Sequence, residues 1–304
     1  AASCYKRGVL LAAGQHARDW LAPSMTIDLL HRIAQRLDAG DTAWTAYLDG
    51  IEIALLPIAN PDGYDFSRTA PDDFEVRFWR KNRQVPLGHP AGQCVGIDQN
   101  SNFPVGWTAG SDCDLQTYPG VAPFEAKETF GLKVFLEGRV KVAGVKYKAH
   151  LDYRLYGGLI LRPWAHTTSP APDDDLLKEV GDALAAATAF LEQESPDRAY
   201  VAGQASSAAL GLSPEHGSMT DWTYAEYGMC SFTIKLPPNE HAINYEAPLS
   251  LVAPASTEQL AILTTLLDVV LTGRLDFLNK NAFGAPSCEP PGQSPEPSPE
   301  PSEP

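Results

Sequence analysis

The segment Gly14-Gln15-His16-Ala17-Arg18-Asp19-Trp20 sets an imidazole and a carboxylate three residues apart, directly after the apolar run Gly8 to Ala13. Both groups belong to the types that hold divalent metals. Two cations stand in segments of the same apolar kind. Arg154 follows the run from Ala149 to Tyr153, and Lys235 interrupts Ser231-Phe232-Thr233-Ile234-Lys235-Leu236. Arginine stays protonated and has no lone pair to give a metal. A buried lysine with a lowered pKa can act as a base or nucleophile, but no partner in the sequence argues for that role here. Pairing of Lys235 with a carboxylate such as Asp19 is the expectation. His150 adds an imidazole four residues before Arg154.

For these groups to meet, several strands must end together. Gly8 to Ala13 and Ile51 to Ile58 are short apolar runs of buried-strand type. The stretches Ala149 to Tyr153, Leu159 to Leu161 and Cys230 to Leu236 read the same way. Ile27 to Leu37, Ala126 to Leu136, Leu176 to Leu191 and Glu258 to Leu271 have helical spacing, the last with Ser256 or Thr257 as its cap. The alternation predicts an α/β sheet with helices on its faces.

Further segments occur in a fixed order along the chain: Asn60-Pro61-Asp62-Gly63-Tyr64, Trp79-Arg80-Lys81-Asn82-Arg83, Cys94-Val95-Gly96-Ile97-Asp98-Gln99-Asn100-Ser101-Asn102-Phe103, Thr117-Tyr118-Pro119-Gly120, Leu155 to Trp164, and Gly217-Ser218 with Asp221-Trp222-Thr223-Tyr224. Together with the His16 segment, this series closely resembles the zinc carboxypeptidases of the carboxypeptidase A family, from Val9 to about Leu271. The resemblance implies a mixed, mainly parallel twisted sheet with helices on both faces, in a domain of residues 1–284. In that family two strands and a helix precede the first motif, and here only fifteen residues do. A sheet lacking those elements, with an edge met by a partner or a missing segment, is therefore expected.

The resemblance also implies a set of site positions. The family's first motif gives two zinc ligands, which fall on His16 and Asp19; Asp19 replaces the usual glutamate. The third ligand, a histidine, falls without gaps on Arg154. His150 reaches that place only with a gapped alignment. The glutamate that activates the metal-bound water falls on Lys235, whose ammonium cannot take that proton as a carboxylate does. An asparagine and an arginine that hold a peptide's C-terminal carboxylate fall on Asn100 and Ser101. The arginine that polarises the scissile carbonyl is kept as Arg80. The floor of the specificity pocket falls near Thr220, and the mobile tyrosine near Leu212 or Ser213. A salt bridge between Arg154 and Asp19 is expected to fill the dismantled metal site.

Cys94 and Cys113 flank a loop-rich stretch. Read alone, they are either two buried thiols or a bridge worth roughly 3 kcal/mol; the resemblance implies the bridge. Cys4 and Cys288 are a further possible pair, and Cys230 reads as a free core thiol.

The chain has 304 residues and a net charge of −15. That sign argues against nucleic acid and anionic membranes as partners. No apolar run approaches the ~20 residues that span a bilayer, and the first residues do not read as a signal peptide. Residues 285–304 form a Pro/Ser/Glu-rich extended tail similar to hydroxyproline-rich glycoprotein stretches, a place for O-glycans. The chain contains no Asn-x-Ser/Thr sequon.

The expected function is therefore a non-catalytic, carboxypeptidase-like protein. It would hold no zinc and act outside the cell as a structural or protein-binding module, with a protein partner or self-assembly. Two alternatives stand beside it. One is an active zinc carboxypeptidase using His16, Asp19 and His150, with Glu240 or Glu246 moving in as base. The other is a glycan-associated matrix-assembly protein.

Overall fold

The computed structural model describes residues 5–90, 92–190, 198–237 and 244–278. Cys4, Cys288, Glu240 and the tail lie outside the described residues. The strands are β1 (Arg7–Ala13), β2 (Ile51–Leu56), β3 (Lys146–Leu155), β4 (Leu159–Arg162), β5 (Val201–Gln204) and β6 (Cys230–Leu236). The helices are α1 (Leu21–Asp38), α2 (Thr42–Gly50), α3 (Pro61–Thr69), the single turn α4 (Phe74–Arg77), α5 (Lys127–Glu137), α6 (Asp174–Ala186), α7 (Met219–Tyr227) and α8 (Val252–Leu271).

The strands form one sheet in the order β2-β1-β3-β6-β4-β5, parallel throughout except where β4 runs antiparallel to β6. This is the mixed, mainly parallel sheet expected. Parallel strands covered on both faces read as continuous apolar runs, and β1 shows why. Val9 and Leu11 enter the large core beneath α1, α2, α6 and α8, while Leu10 and Ala12 enter a second core with Leu132, Leu136, Met219 and Trp222 of α5 and α7.

An irregularity of register sets the direction of the side chains on β3. Gly8 pairs with Tyr147 but Val9 pairs with Ala149, so Lys148 is an extra residue on β3. Such a bulge shifts the in/out parity of the strand beyond it. Downstream of it, Ala149, Leu151, Tyr153 and Leu155 face the large core, and His150, Asp152 and Arg154 share the opposite face.

Caps set several boundaries. Asp41 accepts from the N–H groups of Ala43 (3.0 Å) and Trp44 (3.2 Å) at the start of α2. Asn60 accepts from Gly63 at 3.0 Å, with Pro61 in the first position of α3; a Cβ at Gly63 would lie 2.5 Å from the Lys81 carbonyl oxygen. Helix α8 begins at Val252, earlier than its spacing predicts. Ser256 is therefore no cap: it lies within the helix, bonded to Asp28 and to the Ala253 carbonyl. Helices α2, α3, α4 and α7 and strand β5 are additions to the sequence-based expectation. No helix among the described residues is long and apolar enough to cross a membrane.

Candidate functional site

β1, β3 and β6 run in the same direction, and their carboxyl ends meet. The chain leaves β1 for β2 on one side and later returns to β3 on the other. The ends of β1 and β3 therefore bound a topological switch point, where open α/β sheets place their ligands. His16 and Asp19 follow β1, Arg154 closes β3, and Lys235 lies beside Arg154 in the register of β6.

His16 stands between two carboxylates. Its Nδ1 is 3.6 Å from Asp19 Oδ2, and its Nε2 is 3.5 Å from Asp98 Oδ1. Asp98 is wholly buried and is the hub of the cleft. Its Oδ2 accepts from Arg80 Nη2 at 2.8 Å, Arg80 Nε at 3.1 Å and Ser101 Oγ at 2.7 Å. Burial alone would raise its pKa, but the Arg80 guanidinium and His16 imidazole hold the carboxyl well below the usual range.

Arg154 does not bridge to Asp19. Its Nε donates to Asp152 Oδ2 at 2.6 Å, and its Nη1 lies 3.9 Å from Glu215 Oε2. The reason is local: residues two apart on a strand share a face, so Asp152 is a nearer partner. Asp152 also accepts from Gln15 Nε2 at 2.7 Å. Asp19 Oδ2 is engaged by the Leu155 N–H at 3.2 Å, and Asp19 Oδ1 is buried with no hydrogen-bond partner.

Nor does an ion pair join Lys235 to Asp19 among the described residues. Burial holds the Lys235 ammonium below its ordinary range; Glu215 opposes that shift and Arg154 and Arg80 reinforce it. Partial desolvation at the cleft mouth would raise the Glu215 carboxyl, but it is lowered because Arg154, Lys235, Arg80 and His16 all favour its charged form.

The remaining candidate positions serve the frame. His150 is wholly buried beneath α7, with Nδ1 2.9 Å from Thr223 Oγ1. Four residues of strand, roughly 13 Å, separate it from the end occupied by Arg154. The bulge precedes His150 and does not carry it forward, so a His16–Asp19–His150 ligand set is not assembled. Burial lowers the His150 pKa to about 4. Asn100, on a 3₁₀ turn (Gln99–Ser101), is buried and accepts from the Met219 N–H at 3.1 Å. Thr220 is buried, its hydroxyl 2.7 Å from that of Thr233. Glu246 lines a different cavity, with Trp20, Tyr64 and Arg68.

Zinc needs lone pairs converging at about 2.0–2.2 Å. His16 Nδ1 and Asp19 Oδ2 offer two. The third corner is a guanidinium tied to a carboxylate, with an ammonium alongside. These residues do not fit a three-ligand zinc site. Elsewhere among the described residues, one group of three metal-type donors lies close together: His89, Cys94 and Cys113. Both of its sulfurs belong to the Cys94–Cys113 disulfide, the bridge that the resemblance implied. Cys230 is a free, buried thiol, as expected.

The cleft opens into a cavity of about 370 Å³ lined by Arg80, Ser101, Tyr118 and Glu215. A neighbouring cavity of about 620 Å³ is walled by Arg18, Phe74, Phe78, Trp79 and Tyr245. Three participants gave no clear sign in the sequence. Asp98 sat unassigned in a motif, Asp152 was betrayed only by its spacing of two from Arg154, and Glu215 lies in a loop without periodicity.

Comparisons with known proteins agree with this architecture. The zinc carboxypeptidase family model matches residues 2–260. The chain is 31% identical over 270 residues to zinc carboxypeptidase A 1 of Anopheles gambiae, covering 86% of this chain and 56% of that protein. It is 29% identical over 268 residues to human carboxypeptidase A1, covering 86% and 58%. Bovine thrombin-activatable fibrinolysis inhibitor, solved in complex with tick carboxypeptidase inhibitor, superposes with a TM-score of 0.73 at 25% identity, covering 88% of this chain and 83% of that one. The chain thus spans little more than half the length of the mosquito and human relatives. With the fold, the order of the motifs and the family match in agreement, this chain belongs to the zinc carboxypeptidase family.

Proposed function

We propose that this chain is a non-hydrolytic member of the zinc carboxypeptidase family, working outside the cell as a binding module whose cleft recognises a protein partner. The observation that carries the reading is Arg154. It stands at the family's third ligand position and its guanidinium is held by Asp152 at 2.6 Å. A permanent cation there gives no lone pair and repels a divalent metal.

Other residues support the same reading. Lys235 replaces the carboxylate that would take a proton from water. Ser101 spends its hydroxyl on Asp98 rather than presenting a guanidinium to a peptide end. The Cys94–Cys113 bridge suits an oxidising compartment. Arg80 still lines the cavity beside Tyr118 and Glu215, so a recognition surface persists where catalytic groups do not. Strand β2 is outermost in the sheet, with Ile53 and Leu55 only partly buried, which suits a protein partner.

Zinc content tests this. The purified chain is dialysed against a trace of zinc and measured by elemental mass spectrometry. The expected result is under about a tenth of an equivalent. One tightly held equivalent overturns the reading and returns the chain to metal-dependent peptide hydrolysis.

A further inference from the structure

The cations of the cleft are not equally matched. Arg80 is met by Asp98 and Arg154 by Asp152, both wholly buried carboxylates. Lys235 has no such partner among the described residues, and it is the register neighbour of Arg154, so two positive side chains share one level of the sheet. Adjacent strands lie about 4.8 Å apart, so the two cations rise from neighbouring backbones on one face, and an anion between or above them relieves their repulsion.

Glu215 is placed to be that anion. Its backbone N–H donates to the Ala165 carbonyl at 2.9 Å, which anchors the loop. Its carboxylate points at Arg154, yet 47% of the side chain remains open to solvent. It lines the same cavity as Arg80 and Ser101. This is a carboxylate at a mouth, not in a core.

We infer that the corner corresponding to the family's third metal ligand is an anion site in this chain, built from Arg154 and Lys235, with Glu215 as its resident occupant and an external monocarboxylate as its exchanging ligand. The charge balance favours a monoanion. At this corner Arg154 and Lys235 face one buried acid, Asp152, which leaves one positive charge that Glu215 now meets. A single carboxylate replaces Glu215 without excess charge, whereas a dianion meets the acids as well. The inference rests on the non-hydrolytic reading above, because a metal at this corner would exclude it.

The test is a fluorescence titration of the whole chain with dansylglycine, and with its primary amide as the uncharged control. The carboxylate is expected to bind at least about tenfold more tightly than the amide, as a charge-assisted contact requires. Removing the resident competitor with Glu215→Gln is expected to tighten binding by about fivefold, because the open state is no longer a minor population. Lys235→Gln is expected to weaken it by about tenfold, and Lys235→Arg to retain it, with thermal melts confirming that each variant folds. Equal binding of acid and amide, or an unchanged affinity in the half-exposed Glu215→Gln variant, overturns the inference. Zinc measured on the same samples separates the failures. A zinc-loaded chain overturns both readings, and a zinc-free chain without the Glu215 effect overturns this one alone.

Discussion

Asp152 and Arg154 stand side by side on one face of β3, joined at 2.6 Å, and both side chains are buried. A buried ion pair is often no more stabilising than an apolar pair of similar volume, but breaking it from one side leaves an uncompensated charge. Asp152→Asn is therefore expected to destabilise the fold by about 3–5 kcal/mol. Asp152→Leu with Arg154→Met is expected to cost far less than that single change. Urea denaturation of the three chains, compared at constant slope, checks both statements.

His150 carries a pH signature. Burial lowers its pKa to about 4, against about 6.5 in the unfolded chain. The folded state thus binds its proton later than the unfolded state does. The contribution of a neutral His150 is complete above about pH 6.5 and is lost as pH falls toward 4, amounting to about 3 kcal/mol. His150→Gln should remove this part of the slope. Unfolding free energies of wild type and variant at pH 7, 5.5 and 4 decide the matter; parallel curves contradict it.

Asp98 behaves differently. Its folded pKa is depressed by Arg80 and His16, so its contribution is present above the unfolded value of about 3.9 and lost only as pH falls below it. Asp98→Asn removes the partner of a mostly buried guanidinium, and about 3 kcal/mol of stability should be lost at pH 7. The gap between wild type and variant should stay constant from pH 7 to about 4 and narrow in stronger acid. A gap that closes between pH 7 and 5 would refute the assignment.

The Cys94–Cys113 bridge ties the loop that carries Asp98 to the loop that carries Leu115 and Tyr118. Its sequence separation of 19 residues corresponds to a loss of about 3 kcal/mol on Cys94→Ser with Cys113→Ser. The expected readout is a lower urea midpoint, with no change on adding a reductant to the double variant.

Much of this molecule was legible in its residues. The apolar runs of β1, β3 and β6 announced the central strands, and Arg154 and Lys235 announced two cations at the ends of neighbouring strands, because both signals are local. Partner choice was not. Asp19 looked free to meet Arg154, yet Asp152, two residues away on the same face of the strand, takes the guanidinium instead. Strand β5 escaped notice because its four residues include Gly203 and are largely uncovered, leaving no alternation to read. Helix α7 was hidden behind a motif, although Ser218 caps it and Gly228 (φ 63°) ends it.

The extra residue at Lys148 takes up a slip in the reading frame of β3. Deleting it would leave Tyr147 against Gly8 and Ala149 against Val9, so Asp152 and Arg154 would keep their face and the ladder would lose only its bulge. Beyond Ala149 the strand has no such slack. There a substitution can be absorbed one residue at a time, but a change of length is a frameshift in space that turns every later side chain to the other face, and the whole charged corner would be lost in a single step.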